Sequence, residues 1–389
     1  MPPQTRINSI DLLRGIVMVI MALDHTRDFF HREAFTGNPL NLETTTPFLF
    51  FTRWITHLCA PTFVFLSGTS AYLQGLRKSK KKLSWFLFTR GLWLILFEVV
   101  VMTLGITFDL GYNTFILQTI WAIGISMVIL SGVIWLPFPL VLTIGLVIVL
   151  GHNSLDYYEV GKSGPFPFWY GLLHVQSFYK VGDTNLFIFY PFLAWTGLMI
   201  LGYCFGKYYM NDVINRNKRS IILGAGILLF FVVLRWTNSY GDPFEWSVQP
   251  TALYTFFSFI NTQKYPPSLL FMCVTIGVSL LILGLIGNVR NKFADVITVF
   301  GRVPLFYYAL HFYVLHAAAM IFSLLRGHTF SEGVKGTPNV PLKFVFPNEG
   351  LGLGGTYLVW IFVVLALYPI CKWYSNYKFN NRRWWLSYL

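Results

Sequence analysis

Between Phe115 and Gly151 the sequence holds no Asp, Glu, Lys or Arg, and its one clear break is the run Leu-Pro-Phe-Pro at 136–139. A membrane helix needs roughly 20 predominantly apolar residues, so stretches of this kind limit the fold more than any other feature of a chain. Lipid cannot hydrogen-bond a backbone, which leaves helices and closed barrels as the only spanning structures. The pattern recurs along the sequence. Apolar runs between polar or Pro/Gly breaks predict ten helices, at about 7–25, 58–76, 83–107, 115–135, 137–151, 187–206, 220–237, 268–286, 296–325 and 354–374. The fourth and fifth read as a tight hairpin or one broken helix. Pro304, near the start of the ninth, predicts a kink or a short re-entrant lead-in.

Composition agrees. Hydrophobic residues make up 55% of the 389 and charged residues only 12%, where a soluble domain carries roughly a quarter charged. The fold class is therefore an all-α integral membrane protein of about ten transmembrane helices. The net charge of +13 does not indicate nucleic acid, because no Lys/Arg run is interleaved with stacking aromatics in a soluble segment. It reads instead as topology: 1–6, 77–82, 207–219, 287–292 and the tail from 372 carry 16 basic residues, against 9 in the longer alternate loops. The positive-inside rule then places both termini in the cytoplasm. No loop is long enough for a soluble domain, so residues 1–389 read as one polytopic domain. The first apolar run ends in Asp24-His25 without a small-residue cleavage site and reads as a retained span. Cys59, Cys204, Cys273 and Cys371 lie far apart with no metal-ligand spacing, so neither disulfides nor a metal site is expected.

Ionisable groups inside spans are costly and mark function by default. Those present are Asp11, Arg14, Arg90, Glu98, Arg302, His311 and His316. Arg14, Arg90 and Arg302 fall at similar depths, about 10 Å from the cytoplasmic ends of their helices at 1.5 Å rise per residue. His25 and His311 fall about 14–17 Å further out along the helices of Arg14 and Arg302, and His57 opens the second span from the outer side. The layout is an anion-binding layer facing the cytoplasm and an imidazole cluster facing out. Structural roles compete with this: Arg14 can snorkel and pair with Asp11, Arg90 needs a partner other than Glu98, and His316 can hydrogen-bond at the outer interface. His152, His174 and His328 read as solvent-facing loop histidines.

Three stretches carry a resemblance. "RINSIDLLRGIVMVIMALDH" at 6–25, "PTFVFLSGTSAYL" at 61–73 and "GRVPLFYYALHFYVLH" at 301–316 resemble the heparan-alpha-glucosaminide N-acetyltransferase-like membrane proteins, and more distantly the acyltransferase family three enzymes. The resemblance implies a transmembrane acyltransferase fold and transfer of an acyl group, usually acetyl, from cytoplasmic acyl-coenzyme A to a sugar hydroxyl or amine on the opposite face. Its bacterial members point to the inner membrane. Carried over by position, Arg14 matches the first-span arginine and His25 the polar residue facing the acyl group. Arg90 and Arg302 join Arg14 as coenzyme A phosphate ligands. His25 is the expected general base, with Asp24 beside it and His57 or His311 assisting. One departure stands out: the animal enzyme has Asn at the position of His25, and its proposed catalytic His falls where this chain has Thr36, with His31 out of register. Expected partners are the bilayer, acetyl-coenzyme A, an extracytoplasmic glycan and a second copy of the chain. A secondary transporter or flippase is the alternative class, although no paired Gly/Pro-broken segments recur in two halves.

Overall fold

A computed structural model describes residues 7–162, 165–212, 214–338, 340–381 and 383–388. Residues 1–6, expected on the cytoplasmic side, and Arg382 of the basic tail lie outside them. In chain order the helices are α1 (Asn8–Phe30), α2 (Pro47–Thr56), α3 (Cys59–Gly75), α4 (Lys80–Phe97), α5 (Thr103–Thr107), α6 (Thr119–Val133), α7 (Phe138–Gly151), α8 (Asp156–Glu159) and α9 (Phe168–Leu173). They continue with α10 (Phe192–Asn211), α11 (Arg216–Thr237), α12 (Ala252–Ile260), α13 (Leu269–Leu285), α14 (Lys292–Arg302), α15 (Pro304–Leu325), α16 (Phe330–Lys335) and α17 (Leu353–Asn380). All ten expected stretches are largely helical. Among the described residues six helical stretches are long and apolar enough to cross a membrane: Pro47–Gly75, Lys80–Thr107, Phe138–Glu159, Arg216–Thr237, Pro304–Leu325 and Leu353–Asn380. The chain is thus an integral membrane protein. α6 and α13 are apolar but shorter.

Two local differences from the sequence reading have physical causes. The fourth stretch opens as a strand, β1 (Thr114–Leu117), which pairs in parallel with β3 (Thr184–Ile188). β2 (Ser177–Val181) pairs antiparallel with β3 through the two-residue turn Gly182-Asp183, where Gly182 has φ +60°. The fold is helical with this one small sheet added, rather than purely α. The ninth stretch divides at Val303, because proline lacks a donor but suits the first turn of a helix. Pro304 accordingly opens α15, while α14 ends at Arg302.

The chain divides into two compact units: one of residues 1–59, 101–112 and 285–389, the other of 60–100 and 113–284. In the first, α1 crosses α14 with backbones almost touching. A Cβ on Gly301 would overlap the carbonyl oxygen of Asp11 and lie 2.7 Å from the Gly15 nitrogen, and one on Gly15 would overlap the Ile297 carbonyl. Lipid supplies no hydrophobic drive between helices, so small residues that permit this approach hold the pair together. Trp360 of α17 donates to the Val19 carbonyl at 2.9 Å, and Cys59 to that of Val17 at 3.2 Å, so α1 is enclosed on several sides. In the second unit α4 crosses α6 at Gly91 and Gly124, where a Cβ on Gly91 would stand 2.6 Å from the Gly124 oxygen. Between α4 and α5 runs a single π-helical turn, Glu98–Met102. Glu98 is fully buried, and its Oε1 accepts the Gln118 backbone N–H at 2.8 Å, at the start of α6. A carboxylate there satisfies amide groups that the helix leaves unpaired.

Candidate functional site

The C-terminal half of α1 places Asp24, His25, Arg27 and Asp28 within little more than one helical turn, so they point to different sides of the helix. His25 faces α15: its Nδ1 lies 2.6 Å from Nε2 of His311, and the rings stack with centroids 4.9 Å apart. Phe312 and Tyr308 surround the His25 ring, at 4.2 and 6.1 Å between centroids. His311 is fully buried, and its Nδ1 lies 2.9 Å from the Tyr307 carbonyl oxygen. A carbonyl only accepts, so that nitrogen carries the proton. Neutral His311 then accepts at Nε2, and His25 donates from Nδ1. In neutral His25 this makes Nε2 the basic nitrogen, the tautomer a general base requires.

Asp24 turns the other way. Arg53 of α2 reaches its two oxygens at 2.6 and 2.5 Å, and Arg27 lies 3.3 Å from Oδ1 while also holding Asp28 at 2.7 Å. Both Asp24 and Arg27 are buried. Asp24, expected beside His25 among the catalytic residues, therefore sits in a two-arginine clamp that fixes α1 to α2. Arg53 escaped the sequence reading, although an arginine inside the apolar run Phe-Leu-Phe-Phe-Thr-Arg-Trp-Ile called for an acid partner. His57 caps the C-terminus of α2 and is 3% exposed. His316 takes the structural role: its Nδ1 and Nε2 face the carbonyls of Gly105 and Lys343 at 3.2 and 2.8 Å, and Phe108 stacks on it at 3.8 Å.

Beyond His25, α1 ends at Phe30, and the loop to α2 lines a cleft of about 260 Å³. Arg27, His31, Glu33, Thr36, Asn38 and Thr45 contribute to its wall. Burial pushes the His31 imidazole below its ordinary value. Thr36 sits in this wall with its hydroxyl on the Glu33 carbonyl at 3.1 Å; an alcohol there cannot replace an imidazole as a base at neutral pH.

The arginines fall in different settings. Arg14 pairs with Asp11 at 3.4 Å and is 17% exposed at the side chain. Arg302 ends α14 beside Gly301, and since Gly301 meets Gly15, Arg14 precedes and Arg302 follows a glycine of that crossing. Arg90 belongs to the other unit, where its guanidinium lies 5.8 Å from the centroid of the Phe86 ring. The expectation of solvent-facing His152 and His174 is overturned: they are 3% and 1% exposed because they bond each other at 3.1 Å. His328 stacks on Phe346 at 3.8 Å and bonds Glu349 at 2.7 Å.

A helical membrane protein with a stacked histidine pair between α1 and α15 and a cleft at the end of α1 offers a candidate site for proton transfer. The catalytic-domain family of heparan-alpha-glucosaminide N-acetyltransferase matches residues 6–234, more than half of the chain, and the protein belongs to that family. Acetyltransferase activity follows from the membership. The match includes Arg14, Asp24, His25, His57 and Arg90 and ends before Arg302 and His311. A comparison with curated proteins finds no match.

Proposed function

We propose that the protein is a transmembrane acyltransferase that takes an acetyl group from cytoplasmic acetyl-coenzyme A and delivers it to a sugar hydroxyl or amine on the outer face. In this reading residues 1–389 act as one domain of about ten spans with both termini inside, in the inner membrane of a bacterium. The observation that carries it is the His25–His311 pair. Nε2 of His25 removes a proton from the acceptor as the acceptor's oxygen or nitrogen attacks the thioester carbonyl. The tetrahedral intermediate collapses, the carbon–sulfur bond breaks, and the departing thiolate takes the proton from His25. His311 holds His25 in the required tautomer through Tyr307, the role that the third member of a catalytic triad plays elsewhere. Asp24 with Arg53 fixes the helix that carries His25. Arg14, Arg90 and Arg302 are the proposed phosphate ligands for the donor, because guanidinium groups bind phosphate through charge-assisted, bidentate contacts.

The test is acceptor-dependent thiol release. Purified protein is supplied with acetyl-coenzyme A, with and without glucosamine as the probe acceptor, and free thiol is followed. The expected result is release that rises with glucosamine and falls with His25→Ala. No release with a panel of amino and neutral sugars, together with uptake of labelled acetyl-coenzyme A or sugar into proteoliposomes, would favour the transporter reading instead.

A further inference from the structure

A second constellation of ionisable groups lies in the unit of residues 60–100 and 113–284. The helical stretch from His152 to Glu159 sets His152, Asp156 and Glu159 at i, i+4 and i+7, which is one face of a helix. His174, the C-cap of α9, closes on that face: its Nδ1 lies 2.5 Å from Glu159 Oε1 and its Nε2 3.1 Å from Nδ1 of His152. Tyr170 donates its hydroxyl to the same Glu159 oxygen at 3.0 Å. Asn153 donates to Asp156 Oδ2 at 2.7 Å and accepts the Leu269 N–H at 2.8 Å, which ties the cluster to the start of α13. One ligand atom from each of Asp156, Glu159 and His174 lies within 4.8 Å of the others.

Two further facts bear on what the cluster holds. Among the described residues no Lys or Arg pairs with Asp156, and the only ion-pair partner of Glu159 is His174, so two half-buried carboxylates share one place without a fixed permanent cation. His152 is 3% exposed, yet its Nε2 has no hydrogen-bond partner among the described residues. A buried nitrogen left unpaired is costly. His152 Nδ1 lies 3.1 Å from His174 Nε2 and accepts its proton once a cation takes the place of the proton now shared between His174 Nδ1 and Glu159 Oε1, as the outer partner of a metal-ligating imidazole does.

We propose that Asp156, Glu159 and His174 bind a divalent transition-metal ion of the zinc class, at a site separate from the His25–His311 pair. One imidazole with two carboxylates suits zinc, manganese or ferrous iron; calcium and magnesium take oxygen ligands, and cuprous copper prefers sulfur. Three protein ligands leave a further position for water. The ion pins α8 to α9 and replaces the missing positive charge.

The experiment uses the full chain in detergent, stripped with a chelator, re-equilibrated with zinc alone and analysed for bound metal, with cobalt absorption as a second probe. The expected result is one zinc per chain in the wild type and equally in His25→Ala, with cobalt ligand-field bands. Asp156→Asn and Glu159→Gln, which keep their hydrogen-bonding shapes, abolish both signals. His152→Ala keeps the ligands and weakens zinc binding by about 10- to 100-fold. Wild type that holds no more zinc than a folded Asp156→Asn/Glu159→Gln double variant, or cobalt bands unchanged in that variant, overturns the proposal and leaves the cluster as a hydrogen-bonded loop clasp.

Discussion

His25 and His311 stand 286 positions apart in the sequence and meet at 2.6 Å between Nδ1 and Nε2, with the Tyr307 carbonyl fixing the far nitrogen of His311. The arrangement assigns a direction to the pair: His25 donates inward and presents Nε2. If Nε2 is the base, His25→Ala lowers turnover by about 10²- to 10⁴-fold with little change in substrate binding. His25→Asn is the sharper variant, since Asn keeps a hydrogen bond to His311 but cannot take a proton. Turnover near that of the wild type in His25→Asn would reduce the position to orienting the thioester.

The proposed phosphate ligands make a second prediction. Arg14→Ala and Arg90→Ala weaken coenzyme A binding by roughly 10- to 150-fold, equivalent to losing one charge-assisted contact of about 1.5–3 kcal/mol. Equilibrium binding of acetyl-coenzyme A measures this directly. Unchanged affinity in both would return Arg14 to its pairing with Asp11 and Arg90 to its place beside Phe86.

At the α1–α14 crossing, any side chain on Gly301 must push the Asp11 backbone away. Gly301→Ala therefore destabilises the fold by about 1–3 kcal/mol through overpacking. Gly37→Ala is the control, because nothing lies within 4 Å of a Cβ there. Thermal melts of the two variants should differ clearly; equal melting temperatures would contradict the close crossing.

Topology can be read by labelling. The four native cysteines are all buried, so single cysteines at exposed Lys81 and exposed Val181 report with little background. Membrane-impermeant reagent added outside should label Val181→Cys and spare Lys81→Cys. Labelling of both from one side would refute the inside location of the Arg-Lys-Ser-Lys-Lys-Lys segment.

His31 supplies a pH dependence. Its folded value lies below the ordinary 6.5 because burial disfavours the charged ring. Between the two values the unfolded chain binds more protons, so stability rises with pH through that window. The contribution is present above about 6.5 and is lost as pH falls below it. Unfolding midpoints measured between pH 5 and 8 should therefore fall toward the acid end, and His31→Asn should flatten the slope.

What the sequence determined by itself was where the long apolar helices fall and the odd residues within them. Helical hydrogen bonds are local and apolar runs are local, so the helices within Thr119–Gly151 and the break at Pro304 are legible without any knowledge of neighbours. Arg14, His25 and His311 were legible because charge in an apolar run is expensive wherever the run packs. Tertiary structure alone decided the partners. It matched His25 to His311, gave Asp24 to Arg53 and Arg27 rather than to His25, and buried His152 and His174 against each other. It also drew Thr114–Leu117 out of an apparent helix into a parallel pairing with a strand some 70 residues away. Those outcomes rest on contacts between segments distant in sequence, and no period within a single segment encodes which distant group will satisfy a buried donor or acceptor.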